Sequence, residues 1–223
     1  MSEAGKRPAQ QDRSRNTQRR ILAAAREALA TDGWEGLTVA RVAAAAGVSV
    51  GSVYERFTDK HGLVRAVQHE VLDEVDTDLR AGFARLAARA DLSADVLIAQ
   101  AVRTLAGEVA RHGAVMGPLM LRAAADPALR ARGNATSELA EELFTGLLLT
   151  RASALGHREP RAAAPMAFRV LFSTAMWQTM FGQDSGLRDR MPPELALAEL
   201  VTLCQSYLLG TAESGVRETS DEA

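Results

Sequence analysis

Apolar residues recur along this chain with a helical period, and strict alternation is missing. Ile21, Leu22, Ala25 and Leu29 fall on one stripe, which predicts a helix opening near Asn16 or Thr17 and closing at Asp32-Gly33. "GLTVARVAAAAG" predicts a second helix, with Thr38 as its N-cap, Gly47 as its stop, and Leu37, Val42 and Ala46 facing inward. Ser49 is placed to cap a third, short helix reaching about Arg56, with Val48, Val53 and Phe57 inward. "TDKHGLVRAV" opens a fourth, capped by Thr58 and burying Leu63, Val64 and Val67. Longer helices are expected over roughly 68–90, 93–112, 118–132, 136–156, 161–182 and 193–210. Their breaks fall at "ADLS", "RHGAVMGP", Asp126-Pro127, "RGNAT", "GHREP" and "GQDSGLRDRMPP".

Composition agrees with an all-α fold. Ala and Leu dominate, and aromatics are 4% of the 223 residues. The polar opening, residues 1–15, is expected to be a disordered basic leader, and residues 212–223 a disordered tail. The lone Cys204 allows no internal disulfide and is expected to be a packing residue of a protein in the cytoplasm. No run of about 18 uncharged apolar residues suggests a membrane span.

The formal net charge of −2 conceals an asymmetry. Residues 1–66 hold eleven Lys/Arg against seven Asp/Glu, and residues 67–223 hold fifteen against twenty-one. A basic front on an acidic body implies a polyanionic partner for the front alone.

Two short helices joined at Gly47 make a helix-turn-helix. Ala43 to Ala46 let the second helix approach closely, and Gly47 supplies the left-handed residue a tight turn needs. The second helix, "SVGSVYERF", then has the composition of a segment that lies against a duplex. Ser49, Gly51 and Ser52 are small and hydroxyl-bearing at its start, and Tyr54 can reach a phosphate while its ring packs. Lys60, with the backbone N–H groups around Thr58, is a candidate phosphate anchor.

"ILAAAREALATDGWEGLTVARVAAAAGVSVGSVYERFTDKHGLVRAV" resembles the TetR/AcrR family of transcriptional regulators over about Thr17 to Val67. The resemblance rests on the Gly33 stop, Leu37-Thr38-Val39, Ala46-Gly47-Val48-Ser49, and the Tyr54, Phe57, Lys60, Leu63 spacing. It implies a repressor that binds a palindromic operator in double-stranded DNA as a homodimer and is released by a small-molecule effector. By position it implies a DNA-facing set of Thr38, Ser49, Val50, Gly51, Ser52, Tyr54, Glu55 and Lys60. Two of these depart from the usual pattern. Val50 stands where many members carry a polar residue and can touch only a thymine methyl. Glu55 can accept from a cytosine amino group or pair with Arg56 or Arg41.

The implied organisation is a three-helix DNA-binding domain over 16–67 and a larger helical ligand-binding and dimerisation domain over 68–211. In the second domain, Met116, Met120, Phe144, Leu147, Trp177 and Phe181 are candidates to line an apolar or amphipathic ligand, with Arg122, Arg151 and Gln178 to orient its polar group. The plainer alternative is that they fill a core. The helices over 161–182 and 193–210 are apolar on more than one face, which fits either a four-helix dimer interface or a monomer core; the need for two reading heads favours the dimer.

No enzyme, cofactor or metal site is expected. His61, His69, His112 and His157 are scattered, without Glu-x-x-His pairs or a Cys cluster. There is no Gly-rich phosphate loop and no Gly-x-Ser-x-Gly. A helical enzyme or carrier with an incidental helix-turn-helix would need convergent catalytic groups that the sequence does not supply, whereas an activator would share the DNA-binding half.

Overall fold

The structure is a computed structural model that describes residues 6–181 and 191–210. Its helices are α1 (Lys6–Gly36), α2 (Val39–Ala46), α3 (Val50–Tyr54), α4 (Lys60–Ala87), α5 (Ala94–Ala123), α6 (Pro127–Leu149), α7 (Pro160–Phe181) and α8 (Pro193–Leu209), with a 3₁₀ turn at Ala152–Ala154. No strand occurs among the described residues, as the all-α reading expects. Among the described residues, no helix is long and apolar enough to cross a membrane.

Several boundaries correct the sequence reading. The expected disordered leader is helical from Lys6 onward, and residues 1–5, like the tail 211–223, lie outside the described residues. Pro8 does not prevent this, because a first-turn residue needs no intrahelical N–H bond. At its other end the regular helix stops at Gly33 (φ 65°, ψ −163°), as the sequence reading expects, and a further short helical stretch reaches Gly36. Asp59, not Thr58, caps α4: its Oδ1 accepts from Gly62 N at 2.7 Å.

The glycines of "RHGAVMGP" do not stop α5, which runs through Pro118. Gly117 is there for close approach, since a Cβ would come within 2.6 Å of the Thr179 carbonyl oxygen. "RGNAT" likewise leaves α6 unbroken. The Asp126-Pro127 break is as expected, with Asp126 Oδ1 accepting from Ala128 N (3.0 Å) and Leu129 N (3.3 Å).

The chain forms two compact units. The first comprises the described residues within Met1–Asp78, Glu108–Glu138 and Met176–Gly186. Its core joins Ile21, Leu22, Ala25 and Leu29 of α1 to Val42 and Ala46 of α2, Val53 of α3, and Leu63, Val64 and Val67 of α4. Val115, Leu119 and Leu129 belong to the same core, so α5 and α6 complete the packing of the helix-turn-helix. Polar bonds reinforce it. Arg26 donates from one nitrogen to both Glu74 oxygens at 2.9 Å, Arg132 to Asp73 (2.8 Å) and Asp76 (3.0 Å), and Gln68 to the Leu129 carbonyl (2.8 Å).

The second unit comprises the described residues within Leu79–Gly107, Leu139–Ala175 and Leu187–Ala223. Phe144 sits at its centre, fully buried, with the Phe83 ring 6.4 Å and the Phe168 ring 5.9 Å away. Such spacings suit edge and tilted aromatic packing. Cys204 is buried here, and desolvation pushes its thiol pKa up to about 11. That agrees with the packing role read from the sequence.

Two consequences are measurable. Gly47→Ala should lower stability in denaturant titration by about 1–2 kcal/mol or more, from the left-handed backbone alone. Cys204 should resist a thiol reagent in the native protein and react once the chain is unfolded, because a buried, protonated thiol is a poor nucleophile.

Candidate nucleic-acid interface

The turn between α2 and α3 fixes the geometry of this region. Gly47 has φ 62° and ψ 43°, the left-handed conformation read from the sequence. Its N–H bonds Ala44 O at 3.1 Å, and Val48 N bonds Ala43 O at 3.0 Å, closing the end of α2. Arg20 of α1 donates to the carbonyls of Ala46 and Gly47, capping the same end from the side. A Cβ on Gly47 would lie 2.6 Å from Arg20 Nη2, the tip of a flexible side chain that can move aside, so it is the backbone angle that selects glycine.

Both predicted caps are present. Thr38 Oγ1 accepts from Arg41 N at 3.2 Å, and Ser49 Oγ accepts from Ser52 N at 3.1 Å and lies 3.0 Å from Ser52 Oγ. Val53 and, one turn on, Phe57 are buried, so the opposite face of α3 is turned out. That face carries Ser49, Val50, Gly51, Tyr54 and Glu55, all exposed, with Ser52 half-buried beside them. Val50 is 42% and Tyr54 52% accessible, unusual for large apolar side chains spaced i, i+4 on a helix this short.

Gly51 is informative by contrast with Gly47. A Cβ there would meet only Ser49 Oγ, at an ordinary 3.8 Å, and its φ is not positive. Nothing inside the protein calls for glycine at this position.

The basic residues are arranged differently from what composition alone implies. Lys60 does not project beside α3. Its Nζ donates to the Trp34 carbonyl at 2.6 Å and sits 4.2 Å from the Trp34 ring centre. Burial lowers its pKa, with Arg122 adding to that and Glu35 opposing it. Arg41 is paired with Asp32 at 2.6 Å, and Arg56 donates to the Ser52 carbonyl at 2.9 Å. Glu55 lies 3.8 Å from Arg56, one of the two pairings the sequence left open. Exposed guanidinium groups remain at Arg13, Arg15 and Arg19 on α1.

The nine candidate ligand-binding residues divide between the two units. Met116, Met120, Arg122, Trp177, Gln178 and Phe181 belong to the first unit, and Phe144, Leu147 and Arg151 to the second. Arg122 stacks on Trp34 at 4.4 Å, Met116 packs on the first core, and Phe144 and Leu147 are core residues of the second unit. Arg151 donates to the carbonyls of Arg89 (3.3 Å) and Ala90 (3.2 Å). Trp177, Gln178 and Phe181 are exposed, with the two rings 4.4 Å apart. For the buried members, core filling is the role the packing assigns.

Sequence reasoning missed Trp34 and Arg20. Trp34 receives Lys60, Arg122 and the His61 ring, the last at 4.9 Å. Its signal was a large aromatic directly after a left-handed glycine. Arg20 gave none, because its bonds are made to carbonyls, which no side-chain pattern reports.

Residues 21–67 match the model of the family described as bacterial regulatory proteins, tetR family. Solved structures share the fold. A TetR-family transcriptional regulator from Mesorhizobium loti MAFF303099 superposes with a TM-score of 0.71 at 20% identity, covering 87% of this chain and 96% of its own. A transcriptional regulator from Rhodococcus sp. RHA1 gives 0.64 at 22%, covering 86% and 97%, and GusR of Salmonella enterica gives 0.60 at 19%, covering 86% and 95%. No curated protein sequence matches the chain.

Gly51→Ala should raise stability by about 0.5–1 kcal/mol in thermal or denaturant unfolding, because a helical alanine replaces a glycine that meets no steric demand. A loss of that size instead would mean that the glycine is needed for packing.

Proposed function

We propose, from the match of residues 21–67 to the tetR family of bacterial regulatory proteins, that this protein is a member of that family and a ligand-responsive repressor that binds a palindromic operator as a homodimer. The observation that carries the reading is the outward face of α3, where small and exposed side chains surround a glycine that the fold itself does not require. Ser49, Val50, Gly51, Ser52, Tyr54 and Glu55 form the surface that enters the major groove, flanked by Thr38 at the start of α2. Gly51 lets the backbone approach base edges. Val50 offers a methyl contact to thymine, and the Tyr54 hydroxyl a phosphate contact.

Lys60, tied to Trp34, acts in this account by fixing the start of α4 against the end of α1. The exposed Arg13, Arg15 and Arg19 supply positive charge for phosphates instead. DNA binding of this kind belongs in the cytoplasm.

A dimer supplies two reading heads about 34 Å apart, as consecutive major grooves require. Support comes from α8, whose exposed face presents Leu195, Ala198, Thr202, Leu203, Ser206 and Tyr207, with Glu199 the one charge among its exposed residues after Glu194. The opposite face is buried through Ala196, Val201, Cys204 and Leu208, so α8 carries a second face that stays exposed, with Tyr207 beside the His157 ring at 5.0 Å. With α7 it forms the proposed interface, residues 161–182 and 193–210. The domain limits follow as 16–67 for DNA and 68–211 for ligand and dimer. Effector binding shifts the population of α4 arrangements only as far as its affinities for the two states differ.

Selection from random duplexes followed by gel shift tests the reading. Tyr54→Ala should weaken binding to every sequence alike, whereas changes at Val50 or Ser52 should alter the preferred sequence, by about 1–3 kcal/mol at the affected base pair. Equal, sequence-blind losses at all three positions would contradict direct reading by α3.

A further inference from the structure

Within the first unit, away from α3, three potential metal donors converge on two helices. Glu108 and His112 stand one turn apart on the same face of α5, and Asp78 lies on α4. One ligand atom from each falls within 4.8 Å of the other two. Glu108 and His112 are 7% and 6% accessible, so neither is a surface residue that happens to be acidic or basic. The Nε2 of His112 has no hydrogen-bond partner and lies 3.9 Å from Glu108 Oε2. An imidazole nitrogen that is this buried and unbonded, and aimed at carboxylates, needs an explanation.

We propose that Asp78, Glu108 and His112 form a binding site for a first-row divalent transition-metal ion, such as Zn²⁺ or Co²⁺. One imidazole nitrogen and two carboxylate oxygens make a three-donor set suited to these ions, with water completing the coordination.

The cations already present mark where positive charge is favoured. Arg111 bridges both carboxylates, 2.7 Å from Asp78 and 3.1 Å from Glu108. Its side chain is 58% accessible, so it can leave for solvent when a metal takes its place. On the other side, Arg26 Nη2 lies 3.3 Å from His112 Nδ1. Since a guanidinium can only donate, that contact puts the ring proton on Nε2. Metal binding at Nε2 moves this proton to Nδ1, and Arg26 gives up the contact while keeping its two bonds to Glu74. The site opens to solvent through a cleft lined by Glu74, Thr77, Asp78, Arg111 and His112, which supplies an entry path.

Residue spacing along the chain does not announce this group. The Glu108–His112 spacing becomes a pair only on a helix, and the third donor comes from thirty residues earlier in the chain.

The test uses the untagged full-length chain, stripped with chelator and titrated with Co²⁺ while visible absorption is followed. One Co²⁺ should bind per chain and be displaced by Zn²⁺. His112→Ala and Asp78→Asn should each weaken binding by roughly 10–100-fold or more. Asp78→Asn sits on a partly exposed side chain, so folding, checked by circular dichroism, should survive even if His112→Ala disturbs the interior. Arg111→Ala removes the competing cation and should tighten Co²⁺ binding, whereas His157→Ala in the second unit should leave it unchanged. Absence of stoichiometric Co²⁺ binding, unaltered binding in folded Asp78→Asn, weakened binding in Arg111→Ala, or loss in His157→Ala would each overturn the proposal.

Discussion

The left-handed residue at Gly47 is the constraint on which the reading surface depends. A right-handed residue would continue α2 and carry α3, with its buried Val53, away from its seat on Val42 and Ala46. With the turn closed by the Val48 to Ala43 bond and capped by Arg20, Val53 must face inward. On a helical period, Val50, Gly51 and Tyr54 must then face outward. Five residues of helix, too short to be stable alone, are held by this turn, by the Ser49 cap and by one buried valine. The surface offered to a partner is therefore set by packing that lies behind it.

That packing reaches further than the three short helices. Val115, Leu119 and Leu129 share the core of the helix-turn-helix, and Arg122 stacks on the indole that also carries Lys60. Any shift of α5 or α6 in this unit is felt at Trp34, and through Trp34 at the first turn of α4. Such contacts give a regulator the means to couple DNA binding to events elsewhere. The coupling needs only a differential preference of about 1–3 kcal/mol between two arrangements. Whether an effector supplies that preference is a question of binding, not of fold.

The short elements were legible in the sequence because their signals are local. Thr38 and Ser49 announce themselves as caps, and Gly47 as a turn, through chemistry confined to a few residues. The inward positions from Ile21 to Val67 followed from periodicity alone. The failures have a common cause. Gly117, "RGNAT" and the basic leader were read as breaks or disorder from residue type, yet Gly117 answers a close contact with Thr179 that only the tertiary fold creates. For Lys60, the candidate phosphate anchor, the bond partner is the Trp34 carbonyl, which lies 26 residues away in sequence. The candidate ligand residues show the same limit of local signals: a Met, Phe or Arg on a helix looks the same whether it lines a cavity, fills a core or stacks on an indole.

The central claim is that the outward face of α3 meets the bases of a duplex. Photo-crosslinking tests it most directly. A photoreactive phenylalanine placed at Tyr54 or Val50, and as a control at Tyr207 on α8, is irradiated with labelled duplex from upstream of the protein's own coding sequence. The account predicts crosslinks to the DNA from positions 50 and 54 and none from 207. Crosslinks confined to 207, or none from α3 on a duplex that the protein demonstrably binds, would contradict it.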